Sequence, residues 1–398
     1  VAIDARSWAW SPNWKVAAMR EAEIDAVRDH LARRGLLPGP VEVADALRAL
    51  GLLASDTSVR ATVARLRQDS TGAGILQPLL ELPGVTDVLV NSPDEVYLDR
   101  GSGLEPAGVR FADDAEVRRL ATRLAASVGR RLDDGSPFVD ARLPEGVRVH
   151  AVLDCVAESG TCLSLRIPNR RRFTLADWVV RGSMTTQAAE LLAGLVAQRC
   201  AFLVSGGTGS GKTTLLATLL GLVPPAERIV IAEDSRELNP DHPHCVRMEA
   251  RPPNTEGRGA ITLTELVRQS LRMRPDRLVV GEVRGAELAD LLSAMNTGHE
   301  GGCGTVHANS AGDVPARLEA LGALAGLGRD ALHAQLASAI RVLVHVTRAA
   351  DGRRCLAEIS LLAADAQGHC RTIPALTFTD DGVEEGRGAE ELLRMVRP

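Results

Sequence analysis

Gly206-Gly207-Thr208-Gly209-Ser210-Gly211-Lys212-Thr213 decides how this chain is read. The stretch follows an apolar run, Cys200 to Val204, of the length of a buried strand. It precedes Thr214-Leu215-Leu216-Ala217-Thr218-Leu219-Leu220, which predicts a helix. Strand, glycine-rich loop and helix in that order form the context of a phosphate-binding P-loop. The glycines let backbone N–H groups turn inward around phosphate oxygens, and the helix N-terminus adds partial positive charge. The expected nucleotide-binding set is Gly206, Gly207, Thr208, Gly209, Ser210, Gly211, Lys212, Thr213 and Thr214. Lys212 is expected at the β- and γ-phosphates of ATP, and the Thr213 hydroxyl on Mg²⁺. Of 46 Lys plus Arg residues only Lys15 and Lys212 are lysines, so arginine is the default cation and the loop lysine stands apart. A compact ammonium fits between phosphates where a planar guanidinium does not.

The whole chain bounds this reading. Its 398 residues are enough for two or three domains. Apolar content of 45% and charged content of 24% describe a soluble globular protein with ample core. The net charge of −5 argues against a general nucleic-acid binder, and 3% aromatic residues leave little for a base-stacking surface. No apolar run reaches the length of a membrane span, and no basic region followed by an apolar one opens the chain. Seven cysteines without a C-x-x-C pair fit free thiols in a reducing cytosol and offer no zinc module.

Taken in order, the chain begins at Val1, and Met19 stands just before a good helix opening at Arg20. The expectation is a start at Met19, with residues 1–18 outside the native chain; the competing reading makes Trp8, Trp10 and Trp14 an aromatic anchor. Residues 1–70 are read as an N-terminal helical segment, because Ile24, Val27, Leu31, Val43, Leu47 and Leu50 recur at helical spacing around the Pro38-Gly39-Pro40 break. Residues 71–167 are read as an α+β domain. It has strands at 85–90, 95–98, 147–152 and 162–167 and a helix from Ala115 to Val128. Arg142, Arg148 and Arg166 lie on or beside these strands. Residues 168–185, with Arg170-Arg171-Arg172, are read as a linker. Residues 186–398 are read as an α/β domain. After the P-loop come strands at 228–232, 277–281 and 304–307. Helices are expected from the Thr262-x-x-Glu265 capping box to Met273, and over 285–295, 313–325 and 329–340. A closing hairpin turns at Asp351-Gly352. The tail after 362 is polar and glycine-containing and predicts little.

A P-loop alone says only that a nucleoside triphosphate binds; the reaction depends on what faces the γ-phosphate. Glu282 follows a core strand and is expected beside the P-loop, where a carboxylate orients water, takes its proton or holds the Mg²⁺ shell. Glu233 ends another strand and is expected in related work. Gly298-His299-Glu300-Gly301-Gly302-Cys303-Gly304-Thr305-Val306-His307 carries two histidines around a glycine-rich bend. Their eight-residue spacing excludes the one-face zinc pair of H-E-x-x-H. His299 and His307 are therefore expected to sense the phosphate.

GGTGSGKTT at 206, IAEDSRELN at 231, LRMRPDRLVVGEVRGAE at 271 and MNTGHEGGCGTVHANS at 295 resemble, in order, the Walker A, Asp box, Walker B and His box of the type II/type IV secretion ATPases. SPFVDARLPEGVRVHAV at 136 and LSLRIP at 163 look like the tight-adherence pilus branch, the CpaF/TadA-like ATPases. The resemblance spans roughly residues 71 to 362. It implies an α/β fold with a RecA-like P-loop ATPase core, preceded by a smaller α+β domain that swings against it. It also implies a cytoplasmic hexamer at the inner membrane face, driving pilus assembly, secretion or conjugal transfer against an inner-membrane platform protein. Lys212 and Thr213 match the family's phosphate and Mg²⁺ ligands, Glu282 its Walker B glutamate, and His299 and His307 its His-box residues. Arg142, Arg148 and Arg166 would serve as arginine fingers on domain closure. Two departures stand out: the glycine-rich Gly302-Cys303-Gly304, expected to loosen its loop, and Arg341, where an acidic residue is common. The competing readings are a nucleic-acid-translocating ATPase, a non-hydrolysing nucleotide-binding scaffold and a P-loop kinase.

Overall fold

A computed structural model describes residues 21–397 apart from 35, 37, 38, 53, 102, 169–171, 254–256, 299, 350, 380 and 381. The readings placed on Met19 and on Trp8, Trp10 and Trp14 lie outside the described residues. The chain divides into two compact units, Val1–Pro168 and Asn169–Pro398.

The first unit opens with helices α1 (Glu21–Arg33), α2 (Pro40–Ala49) and α3 (Asp56–Thr71), which share a core of Val27, Leu31, Val43, Leu47, Val59, Val63 and Leu66. Pro40 stands in the first turn of α2, where its missing N–H costs nothing. The short α4 (Gln77–Leu80) leads into an antiparallel sheet of strands β1 (Asp87–Ser92), β2 (Glu95–Asp99), β3 (Leu104–Pro106), β4 (Phe138–Arg142), β5 (Arg148–Val152) and β6 (Cys162–Arg166). Among the described residues its order is β3-β2-β1-β6-β5-β4. The sequence pattern did not mark β3 and β4, which are short strands at the two edges. Helix α5 (Asp114–Ser127) is capped by Asp113, whose carboxylate accepts from the Glu116 N–H at 2.8 Å. Its Val117, Leu120, Ala121, Leu124 and Ala125 form one stripe at helical spacing and join the sheet's buried face in a common core.

The second unit is a sheet with helices on both faces. The 168–185 span, expected to be a linker, contains α6 (Leu175–Val180). Thr174 and Asp177 form its capping box, and the buried Trp178 donates its indole N–H to Thr218 Oγ1 at 3.2 Å. Arg172 of the arginine run pairs with Asp241. Then follow α7 (Thr186–Ala197), β7 (Phe202–Gly206), α8 (Lys212–Leu220), β8 (Ile229–Glu233), β9 (Cys245–Glu249) and α9 (Leu263–Ser270). Next come β10 (Arg277–Val280), α10 (Glu287–Asn296), β11 (Cys303–His307), α11 (Val314–Leu324), α12 (Arg329–Ala339), β12 (Val342–Arg348) and β13 (Arg354–Ala364). The tail is folded too, as β14 (Cys370–Thr379), β15 (Gly382–Glu385) and α13 (Ala389–Val396).

Among the described residues the order is β15-β14-β13-β12-β7-β11-β10-β8-β9. Strands β12 to β9 in that order run parallel, and β13, β14 and β15 continue antiparallel. Strands β7, β8 and β10 read as largely apolar runs because both faces are covered. Along β7, Phe202 and Val204 enter the core shared with α7, α8 and α13, while Leu203 enters the opposite core with residues of α9, α10, α11 and α12. The two glycines around Cys303 loosen no loop. Cys303 and Gly304 begin β11, in register with Val279 and Val280 on one side and Phe202 and Leu203 on the other. Arg341 forms an ion pair with Glu391 of α13 at 2.9 Å, so the departure at this position ties the tail helix to the sheet.

Candidate functional site

The glycine-rich loop leaves the carboxyl end of β7 and runs into α8. Ligands of open α/β sheets bind at the carboxyl ends of strands. Gly206 has φ 155°, and a Cβ there would lie 2.2 Å from the Val346 carbonyl oxygen and 2.6 Å from Ser210 Oγ, so only glycine fits at the end of β7 against β12. Added Cβ atoms at Gly207 and Gly209 would meet nothing within 4 Å, so the loop's outer wall is an open cradle. Lys212 is 9% exposed and folds back onto the loop, with Nζ 3.0 Å from the Gly206 carbonyl oxygen and 2.8 Å from that of Gly207. Burial lowers the Lys212 pKa; Glu282 opposes that shift, Arg284 adds to it and Glu237 opposes it. Ser210 Oγ donates to the Gly207 carbonyl at 2.9 Å. Thr213 and Thr214 are half-buried in the first turn of α8, and Thr208 is exposed at the loop tip. An open, glycine-lined cradle at a helix N-terminus, with a lysine held only by carbonyls and a hydroxyl beside it, fits a triphosphate and its Mg²⁺.

Glu282 stands two residues past β10. The expectation that it lies beside the P-loop needs one correction. Strand β11 is inserted between β7 and β10, so Glu282 belongs to the next strand but one. It still acts on the Lys212 charge. Its Oε2 lies 2.5 Å from Arg284 Nη2. Glu287 in turn accepts the backbone N–H groups of Arg284 and Gly285, at 2.5 and 2.7 Å, and holds that turn. Thr305 Oγ1 donates to the Gly281 carbonyl at 2.7 Å, lacing β11 to the segment that carries Glu282. His307 ends β11 directly opposite Gly206 in the parallel register. His299 lies outside the described residues.

Glu233 ends β8, 3% exposed. Its Oε1 accepts the backbone N–H groups of Glu237 and Leu238 at 3.0 and 2.9 Å, while the buried Oε2 has no hydrogen-bond partner. Desolvation pushes its pKa up to about 7 against those two N–H donors. Desolvation, then Glu287, also raises Asp234 next to it.

The structure gathers Lys212, Glu282 and His307 at one end of one sheet. Arg142, Arg148 and Arg166 belong to the other unit, where the register sets Arg142 opposite Arg148 and Arg148 opposite Arg166. They form a cross-strand row that continues into Asp87 and Asp99. Two residues at the loop were not foreseen. Arg284 sits two positions after Glu282, a spacing visible in the sequence. Arg354 of β13 packs its Cδ over Gly211 and donates Nε to the Gly209 carbonyl at 3.2 Å. No local pattern marks it, because only the β12–β13 hairpin brings it there.

The family model described as type II/IV secretion system protein matches residues 69–379. The chain belongs to the type II/IV secretion system protein family. As a member it is a P-loop ATPase. It is 55% identical over 346 residues to a putative conjugal transfer protein of Mycobacterium tuberculosis, covering 85% of this chain and 98% of that one. It is 34% identical over 263 residues to the type IV secretion system protein VirB11 of Brucella suis, covering 59% and 72%. The solved structure of the pilus retraction motor PilT with bound ADP matches with a TM-score of 0.53 at 20% identity, covering 75% of this chain and 84% of that one. That likeness concerns the fold. Among the described residues of this secretion-family ATPase, no helix is long and apolar enough to cross a membrane.

Proposed function

We propose that this chain is the ATP-hydrolysing motor of a secretion, conjugal-transfer or pilus-assembly machine. It works as a homo-hexamer against an inner-membrane platform protein at the cytoplasmic face. What supports this reading is the open glycine cradle holding Lys212, with Glu282 bearing on the Lys212 charge and His307 in register with Gly206. Lys212 exchanges its two loop carbonyls for the β- and γ-phosphates. Thr213 supplies the hydroxyl that ligates Mg²⁺, which neutralises phosphate charge when bound. Glu282, steadied by Arg284, orients the attacking water and accepts its proton. His307, and His299 with it, reports the state of the phosphate to β11. Glu233 acts from β8 as a proton-bearing group rather than as a fixed charge, which its burial supports.

Arg142, Arg148 and Arg166 supply the remaining positive charge to the transferring phosphoryl oxygens. Guanidinium groups and phosphate oxygens make strong, charge-assisted hydrogen bonds. The 136–152 and 163–168 motifs support the tight-adherence branch, and the relatives' names support conjugal transfer equally. Neither supports a nucleic-acid track, given the acidic net charge.

Lys212→Ala decides the site. The expected outcome in a steady-state hydrolysis and nucleotide-binding assay is loss of turnover with greatly weakened binding. Undiminished turnover overturns the assignment.

A further inference from the structure

The phosphate loop is held by side chains from outside its own strand and helix. Its Gly207 carbonyl oxygen collects Lys212 Nζ at 2.8 Å, Ser210 Oγ at 2.9 Å and the Ser210 N–H at 3.4 Å. Two residues on, the Gly209 carbonyl accepts Arg354 Nε at 3.2 Å. The stem of Arg354 lies along the loop: an added Cβ at Gly211 would meet its Cδ at 3.1 Å and Cη2 of Trp178 at 3.3 Å. Among the described residues Arg354 has no carboxylate partner, whereas Arg353 beside it pairs with Asp351 at 2.6 Å. The Arg354 bond to the loop is therefore no by-product of an ion pair.

The Gly209 C=O and the Ser210 N–H belong to one planar peptide unit and point in opposite directions. The Ser210 N–H faces the point on which Lys212 and the Ser210 hydroxyl converge. The Gly209 carbonyl therefore faces away from that point, and Arg354 receives it there. Gly209 has φ 70°, and an added Cβ would meet nothing within 4 Å, so its own sterics do little to fix this peptide. Strand β13 supplies a fixed anchor. The Leu356 N–H donates to the Ser183 carbonyl at 2.9 Å, and Arg353 Nη1 to the Gly182 carbonyl at 3.2 Å. On the other strand of the hairpin, Val346 is in register with Gly206.

We propose that Arg354 is a positioning residue of the phosphate loop: by holding the Gly209 carbonyl outward it keeps the Ser210 N–H turned toward the phosphate oxygens that Lys212 neutralises. It acts through its Nε–H on the Gly209 peptide, and its charge is dispensable. This role presupposes that the loop is the nucleotide site, and Lys212→Ala separates the two questions. Turnover surviving in that variant fails the site reading itself, while parental behaviour of the Arg354 variants fails only the positioning.

The test uses the full chain, with equilibrium affinity for a fluorescent ADP analogue, competition by inorganic pyrophosphate, steady-state ATP hydrolysis and thermal melting. Glutamine carries its amide nitrogen where arginine carries Nε, so Arg354→Gln keeps the donor and discards the charge. Arg354→Met keeps the stem over Gly211 and removes donor and charge together. In Arg354→Met the affinities for the ADP analogue and for pyrophosphate are expected to fall together by about tenfold, the scale of one hydrogen bond to a charged oxygen. KM for ATP rises in step, and the melting temperature stays that of the parent. Arg354→Gln recovers most of the lost affinity. Parental affinity in Arg354→Met overturns the proposal. A Gln variant as weak as the Met variant also overturns it, because the charge is then what acts. So does a loss for the ADP analogue that pyrophosphate does not share, which puts Arg354 on the sugar or base. If Arg354→Met does not fold, Arg354→Ala takes its place and the same comparisons decide.

Discussion

Two carboxylates follow core strands of one sheet in unlike surroundings. Glu282 is half-buried and touches an arginine; Glu233 is buried, with one oxygen bonded to two N–H groups and the other to nothing. Such contrasts set protonation states apart. Glu282→Gln keeps a carbonyl for Arg284 and removes the proton acceptor. Hydrolysis is expected to slow about 100-fold, with nucleotide affinity nearly unchanged. If affinity and turnover drop together in the same assay, Glu282 is a structural or metal-shell residue. For Glu233 the sign follows from its raised folded-state pKa. Unfolded, the group ionises near 4.5; folded, it holds its proton to about 7. Its contribution to stability is fully present below 4.5 and is lost as pH rises through about 7. Glu233→Gln has no proton to lose, so its melting temperature at pH 8 relative to pH 5 is expected to drop less than the parent's. The difference is on the order of 3 kcal/mol. Parallel melting curves for the two proteins refute the buried, proton-bearing assignment. At this scale Lys212, Glu233, Glu282 and His307 were legible because each stands at a fixed offset from a strand. Arg354 was not, since its place at the loop is made by strand pairing.

The elements that announced themselves are the ones whose local chemistry is complete. Strands β7, β8 and β10 are continuous apolar runs, and Thr262 and Glu265 form both hydrogen bonds of a capping box at α9. Helix α6 carried the same kind of signal at Thr174 and Asp177, hidden by the arginine run before it. Strand β14 did not, because Cys370–Thr379 mixes arginine, threonine and proline and gains its conformation from the ladder with β13. The insertion of β11 between β7 and β10 is set by crossovers and leaves no local trace. The tail helix α13 offers a test. Gly194 of α7 faces Val396 so closely that an added Cβ would lie 2.9 Å from its Cβ and 2.9 Å from its carbonyl oxygen. In an ordinary helix Gly→Ala gains up to about 1 kcal/mol. Here Gly194→Ala is expected to destabilise by about 1–2 kcal/mol, because α13 must be pushed off Leu392 and Val396's seat. A raised melting temperature in denaturation assays would show that α13 does not pack there.

At the scale of the whole molecule, each unit has its own cores: among α1 to α3 and around β1 to β6 with α5 in the first, on both faces of the β7-to-β15 sheet in the second. Residues 169–398, cut ahead of α6 so that Trp178 keeps its bond to Thr218, are expected to fold alone and bind nucleotide. Lacking Arg142, Arg148 and Arg166, they are expected to hydrolyse it on the order of 10³ more slowly than the full chain. Full hydrolysis by this fragment would return those arginines to a purely structural role in their own unit.

The strand order also governs how the chain leaves the ribosome. Strand β7 emerges with both its future neighbours unmade: β11 begins at Cys303 and β12 at Val342. Until then the loop's strand has two open edges, a template for the wrong partner on a crowded polysome. The segment that ends this exposure is made late in synthesis. Its ladder with β13 is a local hairpin that forms fast once translated, whereas its pairing with β7 closes a long loop of chain. Nascent chains stalled before Val342 should therefore recruit chaperones that chains released after Ala364 no longer need.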